Sequence, residues 1–167
     1  IALSGNSGGS SGAHLHFEIR NTKTERPINP LQFGFKVTDN IAPTLKKLKI
    51  YAFDTTTING YQKSEIYDIS KKEDNYSITE IPTINGAFAL GIFTYDKLND
   101  SYNKNGIYSI KLCIDSTVCY EFKVDELDFS TSRYINAHID YCEKQESKNK
   151  YHRCYKLPNN KLDNYPT

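Results

Sequence analysis

GIYSIKLCIDSTVCYEFKVDE, residues 106–126, contains two runs of alternating character, 106–115 and 118–126, joined through Asp115, Ser116 and Thr117. Alternation with a period of two is the signature of a strand that buries one face, and a short polar break between two such runs is a hairpin turn. Working outward, β-branched and aromatic runs recur at LKKLKIYAF (45–53), NYSITEI (75–81) and AFALGIFTYD (87–96). The polar stretch DKLNDSYNKNG (96–106) reads as a second hairpin connection.

Short strands at this spacing predict an all-β fold, an antiparallel β-sandwich of immunoglobulin-like type over residues 44–131. Tyr51, Tyr95, Tyr108 and Tyr120 alternate with aliphatic residues and read as core or sheet-face side chains. Before the sandwich, VTDNIAPT gathers Asp, Asn and Pro, so residues 35–43 read as a linker. After it, SRYINAHIDYCEKQESKNK (132–150) changes character and reads as a short helix or a surface arm, within an extension that runs over 132–167.

Composition bounds the function. The 167 residues are 38% hydrophobic and 25% charged, enough for one sizeable core. A net charge of +1 leaves no basic excess with which to neutralise phosphates, which argues against a nucleic-acid partner. No apolar run reaches the ~18 residues of a membrane span, and IALSGNSGG has neither the charged nor the apolar region of a signal peptide. The chain opens on Ile1 and holds no methionine, from which we expect a fragment. Cys113, Cys119, Cys142 and Cys154 lack the CxxC spacing of a zinc site. Cys113 with Cys119 and Cys142 with Cys154 are plausible bridges in an oxidising compartment, and reduced thiols are the alternative.

The amino-terminal stretch carries the chemistry. In Ala13–Arg20, Leu15, Phe17 and Ile19 point one way while His14, His16, Glu18 and Arg20 point the other, which predicts a half-buried strand. Residues i and i+2 of a strand lie on one face roughly 6.6 Å apart, close enough for both imidazoles to serve one site. Gly5, Gly8, Gly9, Ser10, Ser11 and Gly12 precede the strand and would suit the wall of a substrate groove. Pro27 and Pro30 interrupt regular pairing, and Leu31, Phe33 and Phe35 read as residues that dock an exit segment on the core.

GNSGGSSGAHLHFEIR (5–20) followed by PINPLQFG (27–34) resembles the C-terminal part of the lysostaphin-type zinc endopeptidases, also called LytM-like or family twenty-three metallopeptidases. Their closing motif has the form G-x-[ST]-G-x-[ST]-x-G-P-H-L-H-F-E with a P-x-N-P-L exit. Ala13 replaces the usual proline, which removes no functional group. The resemblance implies that residues 1–34 are the C-terminal fragment of a metallopeptidase domain, a partial antiparallel β peptidase core. It further implies that His16 is a ligand of Zn2+ and that His14 is the catalytic histidine beside the water that zinc activates. Glu18 on the same face is a carboxylate that could orient these groups. The family's other two ligands form an H-x-x-x-D motif. His138 and His152 do not supply it, and both read as surface or interface histidines.

More weakly, residues 33–54, 106–127 and 133–144 resemble the immunoglobulin-like region that follows the peptidase domain in envelope proteins of Bacteroidetes-type bacteria. The resemblances together imply a zinc-dependent endopeptidase of the cell envelope, periplasmic or outer-membrane-associated. Its substrate would be the peptide crosslinks of peptidoglycan, and the sandwich would contact an envelope partner. The alternative is a non-catalytic LytM-like module that activates another wall hydrolase. With two of three ligands missing, the 167 residues are expected to be inactive alone.

Overall fold

The structure is a computed structural model that describes residues 5–6 and 11–166. The fold is all-β and antiparallel. In chain order its strands are β1 (Ile19–Arg20), β2 (Pro27–Ile28), β3 (Thr44–Ala52), β4 (Thr57–Ile58), β5 (Glu65–Lys72), β6 (Asn75–Ile78), β7 (Ile84–Asn85), β8 (Phe88–Tyr95), β9 (Ser109–Ile114) and β10 (Thr117–Lys123). Two short helices, α1 (Ile135–His138) and α2 (Tyr141–Glu146), precede a last strand, β11 (Tyr151–Arg153).

The central sheet has five strands in the order β11-β8-β3-β5-β6. Strand β3 is its spine because its two faces differ. Leu48 and Ile50 pair with Ile92 and Leu90 on the apolar face, while Lys49 and Tyr51 pair with Gly91 and Ala89 on the other. A bulge between Leu45 and Lys47 adds one residue to β3. The extra residue resets the alternation, so Leu45 and Leu48 line the same interior despite their odd separation. The tightest packing gathers Ile50, Ile58 and Tyr67 with Ile78 and Ile84 around them. The β9–β10 hairpin lies over the same apolar face, with Ile110 and Leu112 opposite Leu48 and Ile92.

The polar face of β3 is covered by the carboxy-terminal residues. Asp140 caps α2 by accepting from the Glu143 amide, and it is almost fully buried. It also accepts from Lys49 Nζ at 3.0 Å, Tyr51 Oη at 2.9 Å and Arg153 Nη2 at 3.3 Å, so one carboxylate joins β3, α2 and β11. Burial alone would raise the Asp140 pKa, but the hydrogen bonds from Lys49 and Tyr51 outweigh it and the carboxylate sits below its ordinary range.

Several expectations are corrected. Of the two readings of 132–150, the short helix is the one seen, as α1 and α2; the rest of the extension packs into the fold, with Tyr151, Asn160, Leu162 and Asn164 buried and β11 at one edge of the sheet beside β8. Residues 65–72 form a full strand that the sequence did not announce. Glu65, Asp68, Lys71 and Lys72 dilute its alternation, and pairing with β3 and β6 on both sides specifies it. The expected strand 13–20 forms a ladder only at Ile19 and Arg20, against Ile28 and Pro27. Leu31, Phe33 and Phe35 are exposed rather than docked. A 3-10 turn at Pro30–Phe33, capped by Asn29 and ended by Gly34 at φ 81°, carries them over the surface. Residues 35–43 are exposed and lack regular structure.

The predicted strands at 45–53, 75–81, 87–96, 106–115 and 118–126 appear as β3, β6, β8, β9 and β10, with ends trimmed and the starts of β3 and β10 one residue earlier. Of the four tyrosines, Tyr51 is buried and Tyr95 and Tyr120 are half-buried, whereas Tyr108 is exposed. All four cysteines are free thiols. Among the described residues no helix is long and apolar enough to cross a membrane.

Candidate functional site

His14, His16, Glu18 and Arg20 stand in a row on one side of an extended segment, as alternation requires. The His14 and His16 rings lie 6.5 Å apart, edge to face. His16 Nε2 donates to Glu18 Oε1 at 2.5 Å, and Arg20 Nε donates to Glu18 Oε2 at 2.6 Å. The bonds from Arg20 and then His16 hold the Glu18 carboxyl below its ordinary range. His14 Nδ1 donates to the Gly12 carbonyl at 2.9 Å.

These bonds assign the tautomers. A carbonyl only accepts, so His14 carries its proton on Nδ1 and Nε2 is its basic nitrogen. His16 spends its Nε2 proton on Glu18, which leaves Nδ1 as the nitrogen with a lone pair. A metal-binding histidine characteristically donates its second N–H to a carboxylate, so the His16–Glu18 pair fits a zinc ligand and its orienting partner.

The opposite side of the segment is open. Leu15 is 93% exposed and Phe17 57% exposed, so the predicted burial of this face is corrected. Among the described residues no strand pairs with Ala13–Glu18, and the apolar side has nothing to cover it apart from the Phe17–Phe35 ring contact. Of the expected groove wall, Gly8, Gly9 and Ser10 lie outside the described residues. A Cβ added at Gly5 or Gly12 would meet nothing within 4 Å.

The row is anchored to the stretch after β10 and to the carboxy-terminal residues by side chains that sequence reasoning missed. Arg26, between β1 and β2, donates to Glu126 at 2.8 Å and to Asp128 and Asp163 at 2.6 Å each. Asn29 N donates to the Asp125 carbonyl at 2.8 Å and Leu127 N to the Pro27 carbonyl at 2.9 Å. Arg20 lies over the Phe129 ring at 5.4 Å. A cleft of about 510 Å³ runs along this junction from Phe17 and Glu18 to Tyr108 and Leu127. Nothing in the spacing of Arg26 and its three acids could have announced the cluster.

His138 and His152, expected as surface or interface histidines, pack inside the fold, His138 buried and His152 half-buried. His138 is fully buried, its Nε2 lies 2.9 Å from His152 Nδ1, and its ring stacks on Phe122 at 3.9 Å. Burial holds both imidazoles neutral, with pKa values lowered to about 3 for His138 and about 4 for His152. The pair packs between β10 and β11 and adds no donor to the His14–His16 row. Among the described residues no group of three or more His, Cys, Asp or Glu is placed to hold a metal. No protein-family model, curated protein or solved structure matches the chain.

Proposed function

We propose that residues 1–34 form the closing part of the catalytic groove of a zinc-dependent endopeptidase of the cell envelope, periplasmic or outer-membrane-associated, that hydrolyses peptide crosslinks of peptidoglycan. We read the remaining residues as its appended immunoglobulin-like region. The observation that carries this proposal is the tautomer pair: His16 bonded through Nε2 to Glu18, and His14 with a basic Nε2 on the same face.

In this proposal His16 supplies one zinc ligand through Nδ1, and Glu18 fixes its ring. The other two ligands come from residues outside this chain, because a catalytic zinc takes three protein ligands. Zinc, when bound, acidifies water and polarises the scissile carbonyl. His14 is placed to take the proton of the attacking water or to stabilise the developing oxyanion. Arg20 neutralises Glu18 from the far side and keeps the carboxylate aimed at His16.

The test is zinc content, by elemental analysis, of the protein extended on its amino-terminal side, beside its His16→Ala variant. One zinc per chain, lost in the variant, supports the site and directs a peptidoglycan cleavage assay. No zinc in the extended wild type overturns it in favour of the non-catalytic activator. The 167 residues alone are expected to show no zinc-dependent cleavage.

A further inference from the structure

The apolar face of the five-stranded sheet is met by the β9–β10 hairpin, which is only two strands wide. Leu45, Leu48 and Ile69 on that face are therefore half-buried, whereas Ile50 and Ile58 in the neighbouring core are 2% and 0% exposed. Two openings share Leu45 as a lining residue. One lies against Ile110 and Leu112 of β9, and the other against Ile69, Lys71 and Tyr76 of β5 and β6.

Beside this gap β9 presents an open backbone edge. The hairpin closes on a two-residue turn, with Asp115 and Ser116 at φ 47° and 67°, so Ile114 and Thr117 form its closing hydrogen-bonded pair. Bonded and non-bonded pairs alternate down an antiparallel ladder, which puts Ser109, Lys111 and Cys113 in the non-bonded class. The bulge at Cys119 adds a residue to β10 and leaves the alternation along β9 intact. The N–H and C=O groups of these three residues thus turn away from β10. The opposite strand agrees: Lys123, the partner of Ser109, turns its N–H outward to the Asn164 carbonyl at 2.8 Å. The outer edge of β10 is covered in this way, while Ser109, Lys111 and Cys113 are exposed and, among the described residues, no other strand or turn bonds their backbone.

An open edge next to an uncovered apolar face specifies the occupant more closely than either feature alone. An extended strand pairs its backbone with the edge and sets every second side chain into the gap. Charge gives its direction. Ser109, at the start of β9, lies at the end of the gap near Leu45, and Lys46 and Lys71 border the adjoining opening. Among the described residues the Lys46 side chain makes no hydrogen bond, ion pair or ring contact, and Lys71 lies only over the Tyr76 ring at 5.8 Å. A strand antiparallel to β9 brings its carboxy-terminal end to Ser109, towards these two ammonium groups.

We propose that the open edge of β9 receives the carboxy-terminal strand of a partner polypeptide, with aliphatic side chains over Leu45 and Leu48 and the terminal carboxylate against Lys46 and Lys71. The site is independent of the His14–His16 row and stands whether or not the chain belongs to a peptidase.

The probe is a peptide of alternating valine and threonine, six residues long to match β9, with a fluorophore at its amino end and a free carboxyl. Fluorescence anisotropy with the 167-residue chain should show saturable one-to-one binding. Amidating the carboxyl, or combining Lys46→Gln with Lys71→Gln, should weaken it about tenfold, the loss of one charge-assisted hydrogen bond. Of two peptides N-methylated at either the valines or the threonines, the one whose methyl groups face β9 should lose binding and the other keep it. Lys111→Pro, which removes an edge N–H and leaves the β9–β10 ladder intact, should weaken binding about tenfold. Absent or non-saturable binding overturns the proposal, as do equal affinities of the two N-methylated peptides or an affinity indifferent to both lysines. A dimer of the chain alone that Lys111→Pro dissociates, read by light scattering, would give the edge to a second copy and overturn it equally. The N-methylated pair leaves the protein unaltered, so the test decides even where Lys111→Pro fails to fold.

Discussion

Arg26 and Asp163 are 137 positions apart in the chain and meet at 2.6 Å. With Glu126 and Asp128 on the same guanidinium, this contact ties the segment after the histidine row to the stretch that follows β10 and to the carboxy-terminal residues in one place. The amino-terminal segment is therefore pinned to the rest of the fold ahead of the exposed stretch 35–43, and the three carboxylates hold the Arg26 pKa above its ordinary value.

Removing that guanidinium should free the segment without unfolding the sheet. Arg26→Ala is expected to abolish amide exchange protection at Asn29 and Leu127, whose N–H groups bridge the two parts, while β3 and β8 stay protected. Arg26→Lys should restore only part of it, since one ammonium lacks the planar fork that reaches three acids. Hydrogen exchange with mass spectrometry reads both outcomes. Unchanged protection in Arg26→Ala would show that the backbone bonds alone hold the junction.

Asp140 pairs with the mostly buried Arg153 and shares mostly buried Lys49 with Glu143, so its deletion strands the Arg153 guanidinium while Lys49 keeps Glu143 at 2.7 Å. Asp140→Ala should cost about 3–5 kcal/mol in urea unfolding, and Asp140→Asn less because an amide still caps α2. The native carboxyl sits below its ordinary pKa, so its contribution is fully present above the unfolded value of about 3.9 and is lost as pH falls through the native value. Acid titration of wild type against Asp140→Asn separates this contribution from the rest.

The His138–His152 pair acts over a different range. Both native pKa values lie below the unfolded value of about 6.5, so the unfolded chain binds more protons and stability falls as pH drops from 6.5 toward the native values of about 4 and 3. The slope should reach at most about 1.4 kcal/mol per pH unit for each group. His138→Gln keeps hydrogen-bonding capacity without a titrating ring and should flatten the slope between pH 4 and 6.5.

Gly91 in β8 lies under the Tyr51 ring, where an added Cβ would come within 2.9 Å of Tyr51 Cε2 and Oη. Gly91→Ala should cost about 1–3 kcal/mol through overpacking, read as a lowered thermal midpoint. Combining it with Tyr51→Ala should be less damaging than the two single changes summed, because the clash disappears with the ring.

Thiol reactivity should divide three to one. Cys113, Cys119 and Cys142 are exposed, while burial pushes the Cys154 thiol up to about 12. Ellman's reagent at neutral pH should react promptly with three thiols per native chain and reach the fourth only on unfolding, since the thiolate is the reactive form. Four prompt thiols would place Cys154 in solvent.

The sequence by itself determined the local pattern. Alternation in 45–53, 87–96, 106–115 and 118–126 announced β3, β8, β9 and β10, because a strand that buries one face must write a period of two into its own residues. The same rule put His14, His16 and Glu18 on one side. Only the tertiary structure decided which polar residues meet. Arg26 finds its acids 100 to 137 positions away, and His138 at the end of α1 finds His152 in β11 across the whole of α2. It also decided that 65–72 pairs on both edges and that the last residues close the fold. Side-chain periodicity records which face is buried, but partners brought together by long-range packing leave no fixed spacing in the chain.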